Sequence, residues 1–77
     1  MKPIKIYGTT ICPFCEAAKE LLKQKKIGFD FINFDEDPAL RDKMSQDLNY
    51  YTVPMIFIGD KFIGGFMDLQ KMQESLR

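Results

Sequence analysis

The chain's only two cysteines, Cys12 and Cys15, stand three apart where a strand-like run, Lys2 to Gly8, gives way to a helix-like one beginning at Pro13. Side chains at i and i+3 of a helix share one side, so the two sulfurs can close a small disulfide ring. The sulfur at the helix start also meets unpaired backbone N–H groups, which favour an anion and make a thiol there more acidic than a free one. This juncture, strand then Cys-Pro-Phe-Cys then helix, is the context a thiol–disulfide centre requires. Cys12, ahead of the helix, is expected to be exposed and to attack as the thiolate. Cys15, one turn inside, is expected to be less accessible and to resolve the mixed disulfide. Pro13 stiffens the turn and has no N–H to donate to the Cys12 sulfur.

The rest of the composition removes competing chemistries. The chain has no histidine, which rules out a Cys–His nucleophile and leaves two cysteines with no imidazole for a tetrahedral zinc site, so no metal is expected. Eleven basic and eleven acidic residues cancel, which argues against a nucleic-acid groove or an anionic membrane surface. No apolar run approaches the ~18 residues of a membrane span. The start Met1-Lys2-Pro3-Ile4 reads directly into a strand without an apolar secretion segment, so a cytoplasmic location is expected. A disulfide in that reducing compartment is more often catalytic than structural. Residues 1–77 are expected to form one domain with one modest core, near the small end of what folds without staples.

Taken in order, Ile4 and Ile6 alternate with Lys5 in a first strand that ends at Gly8. Ala17, Ala18, Leu21 and Leu22 then form an apolar stripe at helical spacing. Lysines from Lys19 to Lys26 lie on the outer, solvated face, and Gly28 is expected to end the helix. Phe29 to Phe34 reads as a second strand, parallel to the first through a right-handed crossover. Asp37 as N-cap and Pro38 at the first helical position start a second helix, with Leu40, Met44 and Leu48 along one edge and Asn49 as C-cap. Met55-Ile56-Phe57-Ile58 reads as a buried strand, Gly59-Asp60 as a tight turn, and Lys61-Phe62-Ile63 as an antiparallel edge strand. Leu69, Met72 and Leu76 complete a short terminal helix. The expected order is β-α-β-α-β-β-α, an α/β fold.

Two further stretches have both a structural and a functional reading. Pro54 in Thr52-Val53-Pro54 is tolerated as the first residue of a strand. Alternatively a cis Val53–Pro54 bond leaves the Val53 N–H and C=O free to bind an extended peptide beside the sulfurs. Gly64-Gly65 is either a hairpin exit or a close backbone approach to a ligand ahead of a helix start that could hold a carboxylate.

Tyr7, Cys12-Pro13-Phe14-Cys15, Thr52-Val53-Pro54, Ile63-Gly64-Gly65 and Asp68-Leu69 occur in the order and spacing of the glutaredoxins, and the chain resembles that family over essentially its whole length. The resemblance implies a thioredoxin-like fold, with a four-stranded mixed sheet, helices on both faces, and Pro54 in cis. It implies a cytoplasmic monomer that uses glutathione to reduce protein disulfides and protein–glutathione mixed disulfides. Cys12 and Cys15 would be catalytic, with Tyr7, Pro13, Phe14 and Pro54 in support. The glutathione cysteine would pair with the Val53 backbone beside Thr52. Its γ-glutamyl end would meet Gly64, Gly65, Met67 and Asp68, and its glycyl carboxylate would meet Arg41.

The sequence departs from that family at two places. Thr9 stands where most glutaredoxins have a lysine, and a hydroxyl brings one hydrogen bond but no charge, so Cys12 is expected to be less acidic and glutathione less firmly held. Met67 stands where many members have a small or polar helix cap. Phe66, after the glycines, is similar to redoxins of phages and of ribonucleotide reductase systems, some of which are reduced by thioredoxin reductase; that is the alternative reductant. A second alternative is a dimer sharing a [2Fe–2S] cluster through Cys12 and two glutathiones. Members that do this carry a small residue beside the first cysteine, and Pro13 argues against it.

Overall fold

A computed structural model describes residues 3–72. The strands are β1 (Ile4–Gly8), β2 (Asp30–Asn33), β3 (Met55–Ile58) and β4 (Lys61–Gly64), and the helices are α1 (Pro13–Gln24), α2 (Pro38–Leu48) and α3 (Phe66–Lys71). The sheet order is β2-β1-β3-β4; β1 pairs parallel with β2 and antiparallel with β3, and β3 pairs antiparallel with β4. This is the expected element order and the thioredoxin-like architecture, a four-stranded mixed sheet flanked by three helices. Leu76 and Lys2, placed above in the last helix and the first strand, lie outside the described residues.

Strand alternation divides the sheet into two faces. Ile4 and Ile6 of β1 are buried with Ala18 and Leu22 of α1, Ile56 of β3 and Leu69 of α3, which is the core. Tyr7, one residue out of phase with that set, instead joins an aromatic row. Its ring lies 5.6 Å from Phe34 and 5.6 Å from Phe57, Phe57 lies 5.3 Å from Phe62, and Tyr50 meets Phe62 edge-on at 5.0 Å.

Both long helices begin as expected. Cys12 is the N-cap of α1 with Pro13 following, and Asp37 caps α2, its carboxylate accepting the Leu40 N–H at 3.2 Å. Helix α2 also ends as expected, with Asn49 in the left-handed conformation at φ 52°. Its apolar edge is only half-buried, and Ser45 is its one buried residue.

Several boundaries differ from expectation: β2 begins at Asp30 and not Phe29, β4 runs on to Gly64, Met72 follows α3 as its C-cap, and two further ends are set by packing. Helix α1 does not run to Gly28. Lys26 takes the left-handed conformation at φ 59°, its N–H donating to Lys23 C=O at 3.0 Å and the Ile27 N–H to Leu22 C=O at 2.9 Å. This double bond pattern is the Schellman closure. It turns Ile27 against the core, so burial of Ile27 sets the helix end and not the glycine. Strand β2 stops at Asn33, because Phe34 enters a short 3-10 turn (Phe34–Glu36) and is buried at 1% exposure against Tyr7.

Candidate active site

The dithiol is closed as a Cys12–Cys15 disulfide, with the two Cα atoms 5.2 Å apart. Cys12, at φ −152° and ψ 96°, holds the extended backbone of an N-cap, and its Sγ accepts the Cys15 N–H at 3.1 Å. That is one of the orphan donors of the first turn, delivered to the sulfur. The exposure expected of Cys12 is not found: it is 7% exposed and Cys15 is wholly buried. Ring closure onto Cys15 turns the Cys12 sulfur toward the helix while its neighbours Ile11 and Pro13 stay exposed. The order of access between the two sulfurs is nevertheless the expected one. Cys15 packs over Gly8, where any added Cβ would collide with Cys15 Sγ and come within 3.2 Å of the Phe31 ring. The end of β1 therefore has to be glycine for the helix to sit this close to the sheet.

A polar clamp fixes the loop that presents Cys12. The Thr10 N–H donates to Asp35 Oδ2 at 2.9 Å, Asn33 Nδ2 donates to Thr10 Oγ1 at 2.8 Å, and the Asp35 N–H donates to Asn33 Oδ1 at 2.9 Å. The backbone and hydroxyl of Thr10 hold the Asp35 carboxyl below its ordinary value against the opposing effect of desolvation, and the Arg41 charge adds to the lowering. These three residues carried no sequence signal as a unit, because β1–α1 and β2–α2 connections meet only in the folded sheet.

Beside the disulfide lies a groove of ≈ 390 Å³, the size of a small-ligand cleft. Phe14, standing between the cysteines, forms one wall and stacks on Phe66 at 6.0 Å. Thr52, Val53 and Pro54 form the second wall, and the Val53–Pro54 bond is cis. Gly65, Met67 and Asp68 of the α3 start form the third. The groove thus brings together Phe14, Thr52, Val53, Pro54, Gly65, Met67 and Asp68 from the sequence-derived set.

Other members of that set stand elsewhere. Gly64 lies behind the groove at φ 117°, and a Cβ there would collide with the Asp68 carboxylate. Tyr7 belongs to the aromatic row, and Arg41 acts on Asp35. Thr9 turns its hydroxyl to the Ile11 C=O at 3.3 Å, closing a local turn. The start of α3 is occupied by the chain itself, since Asp68 Oδ2 accepts the Gly65 N–H at 3.1 Å. Tyr50 lines the groove without having been singled out; its hydroxyl lies where a Gly65 Cβ would come within 2.7 Å. Its signal was positional: it is the residue after the left-handed Asn49, where a C-terminal closure directs a side chain back onto the fold. Among the described residues no lysine or arginine lines the groove, and Asp68 is its only charged side chain. Among the described residues, no group of three or more His, Cys, Asp or Glu side chains is placed to hold a metal ion.

The family profile described as Glutaredoxin matches residues 4–63. A glutaredoxin of Pseudomonas aeruginosa is 39% identical over 75 residues, covering 97% of this chain and 89% of the relative. Glutaredoxin 3 of Escherichia coli is 39% identical over 69 residues, covering 90% and 83%. The crystal structure of a buckwheat glutaredoxin–glutathione complex superimposes with a TM-score of 0.88 at 27% identity, covering 96% of this chain and 70% of that one. With the capped Cys12–Cys15 pair, the cis-proline wall and the glycine-led third helix all in place, the chain belongs to the glutaredoxin family and is a thiol–disulfide oxidoreductase.

Proposed function

We propose that residues 1–77 act as one cytoplasmic, monomeric glutaredoxin domain that reduces protein disulfides and protein–glutathione mixed disulfides at the expense of glutathione. The observation that carries the assignment of roles is the Cys15 N–H donated to Cys12 Sγ at the helix start. In the reduced protein the same N–H faces a thiolate, and the first turn of α1 favours that charge. Cys12 attacks one sulfur of the substrate, breaking its S–S bond and forming a mixed disulfide. Cys15 then attacks Cys12 Sγ and releases the remaining thiol, and two glutathiones reduce the resulting Cys12–Cys15 disulfide. Where the mixed disulfide is with glutathione, a second glutathione instead attacks the glutathione sulfur, leaving as glutathione disulfide and restoring the Cys12 thiolate. Val53 in the groove wall offers backbone groups to the cysteine of glutathione, beside Thr52, and Gly65, Met67 and Asp68 surround its γ-glutamyl end. No step involves a metal.

The test is turnover in a coupled assay containing glutathione, glutathione reductase, NADPH and a glutathionylated substrate. Turnover there supports the reading. Its absence, together with turnover by thioredoxin reductase and NADPH, replaces it with that of a redoxin serving an enzyme such as ribonucleotide reductase. One observation favours this second reading: among the described residues no cation lines the groove to meet the glutathione carboxylates, and Thr9 and Arg41 stand outside it.

A further inference from the structure

All four large apolar side chains that the described residues leave exposed belong to the three segments around the disulfide. Ile11, 90% exposed, immediately precedes Cys12; Phe14, 58% exposed, stands between the cysteines. Tyr51, 62% exposed, precedes the Thr52-Val53-Pro54 wall, and Met67, 59% exposed, is in the first turn of α3. Exposed apolar residues scattered singly need no explanation, whereas their confinement to the rim of one site marks an interaction surface. The charge on that surface is equally one-sided. Among the described residues Asp68 is the only charged side chain lining the groove, and it repels an acidic neighbour of the substrate cysteine.

We propose that the oxidised substrate this chain handles best is a polypeptide disulfide in an extended stretch, with apolar residues flanking its cysteine and no acidic ones. The proposal rests on Cys12 as the attacking thiolate and adds the substrate class. Groove and rim act together: Phe14 and Met67 line the groove, while Ile11, next to Cys12, and Tyr51, next to the Thr52 wall, are exposed outside it and available to the residues that flank the substrate cysteine. The chemistry balances within the pair. The Cys12 thiolate forms a bond to one substrate sulfur as the substrate S–S bond breaks, and the departing thiolate takes a proton from water. Cys15 then attacks Cys12 Sγ, the Cys12–Cys15 disulfide forms, and the second substrate thiol leaves. Two electrons pass from the dithiol to the substrate.

Single-turnover reaction of the dithiothreitol-reduced, desalted protein tests this, using three peptide disulfides that differ only in having Leu, Gln or Glu beside the cysteines. No glutathione is present, and each rate is normalised to that peptide's reaction with free dithiothreitol. The expected order is Leu over Gln over Glu, with Leu at least tenfold above Gln, a difference of about 1.4 kcal/mol. In an Ile11→Ser/Tyr51→Ser double variant the Leu-to-Gln ratio falls to within about threefold while the Glu peptide's rate is unchanged. Both side chains are exposed, so folding is not at risk, and circular dichroism verifies it. Equal rates for Leu and Gln overturn the proposal, as does a ratio unaltered in the double variant. Reaction with none of the peptides overturns it as well; whether the glutathione reading falls too is read from the coupled assay, which contains no peptide.

Discussion

The asymmetry between the two cysteines comes from one hydrogen bond and three residues of position. Cys12 is the cap and keeps 7% exposure; Cys15 is inside the first turn, wholly buried over Gly8. Cys15→Ser is therefore expected to retain reduction of glutathione mixed disulfides and to lose dithiol reduction of protein disulfides, whereas Cys12→Ser loses both. Assaying each variant on the two substrate types checks the roles, and an active Cys12→Ser would reverse them. Asp35 supports Cys12 from a distance by holding the Thr10 N–H. Its folded pKa lies below the ordinary value of 3.8, so it contributes stability that is present above that value and is lost as pH falls through the lowered one. Asp35→Asn is expected to leave stability less sensitive to pH below about 4, as read by acid unfolding of both proteins followed by circular dichroism. An acid limb identical in the two would mean that Asp35 adds nothing to the fold.

Among the elements, those with local punctuation were legible and those set by packing were not. Asp37, Pro38 and Asn49 mark α2 because each acts through its own side chain or backbone, within one turn of itself. The end of α1 was misplaced at Gly28 because glycine is the usual left-handed residue. Lys26 takes that role instead, and the closure it makes packs Ile27 against the core. Phe34 leaves the strand for the same kind of reason: its place against Tyr7 exists only once β1 and β2 are paired. The site divided likewise. Phe14, Val53, Pro54 and Asp68 reach the groove as motif spacing suggests, but Thr9 and Arg41 came from position alone: the Thr9 hydroxyl donates to the Ile11 C=O, and the Arg41 charge is felt at Asp35. The helix end carries its own prediction. A non-glycine residue in the left-handed region costs roughly 1–2 kcal/mol, part of which glycine gives back through the entropy of the unfolded chain. Lys26→Gly is thus expected to stabilise the protein by about 0.5–1 kcal/mol, measured as a raised urea midpoint at constant m-value. A lowered midpoint would show that Lys26 is not strained there.

At the scale of the whole molecule, a small core has to hold three separate segments around one disulfide. The disulfide itself contributes little to this, because closing so short a loop removes little entropy from the unfolded chain. The weakest tether is α3, only six residues from Phe66 to Lys71, too short to persist by helix propensity. Leu69 anchors it. It is wholly buried with Ile4 and Ile6 of β1, Ala18 and Leu22 of α1 and Ile56 of β3, so one side chain ties the third groove wall to the sheet and to the helix that carries Cys15. Leu69→Ala is expected to cost about 2–5 kcal/mol, the range for a leucine truncated in a packed core. A chain of this length has a total of roughly 4–12 kcal/mol to lose. Because Phe66, Met67 and Asp68 sit in the same short helix, the surviving folded protein should also raise KM for its disulfide substrate more than it lowers kcat. Urea unfolding and steady-state kinetics below the new midpoint measure the two effects. A loss under about 1 kcal/mol would detach α3 from the core, and an unchanged KM would mean that the wall it builds plays no part in holding substrate.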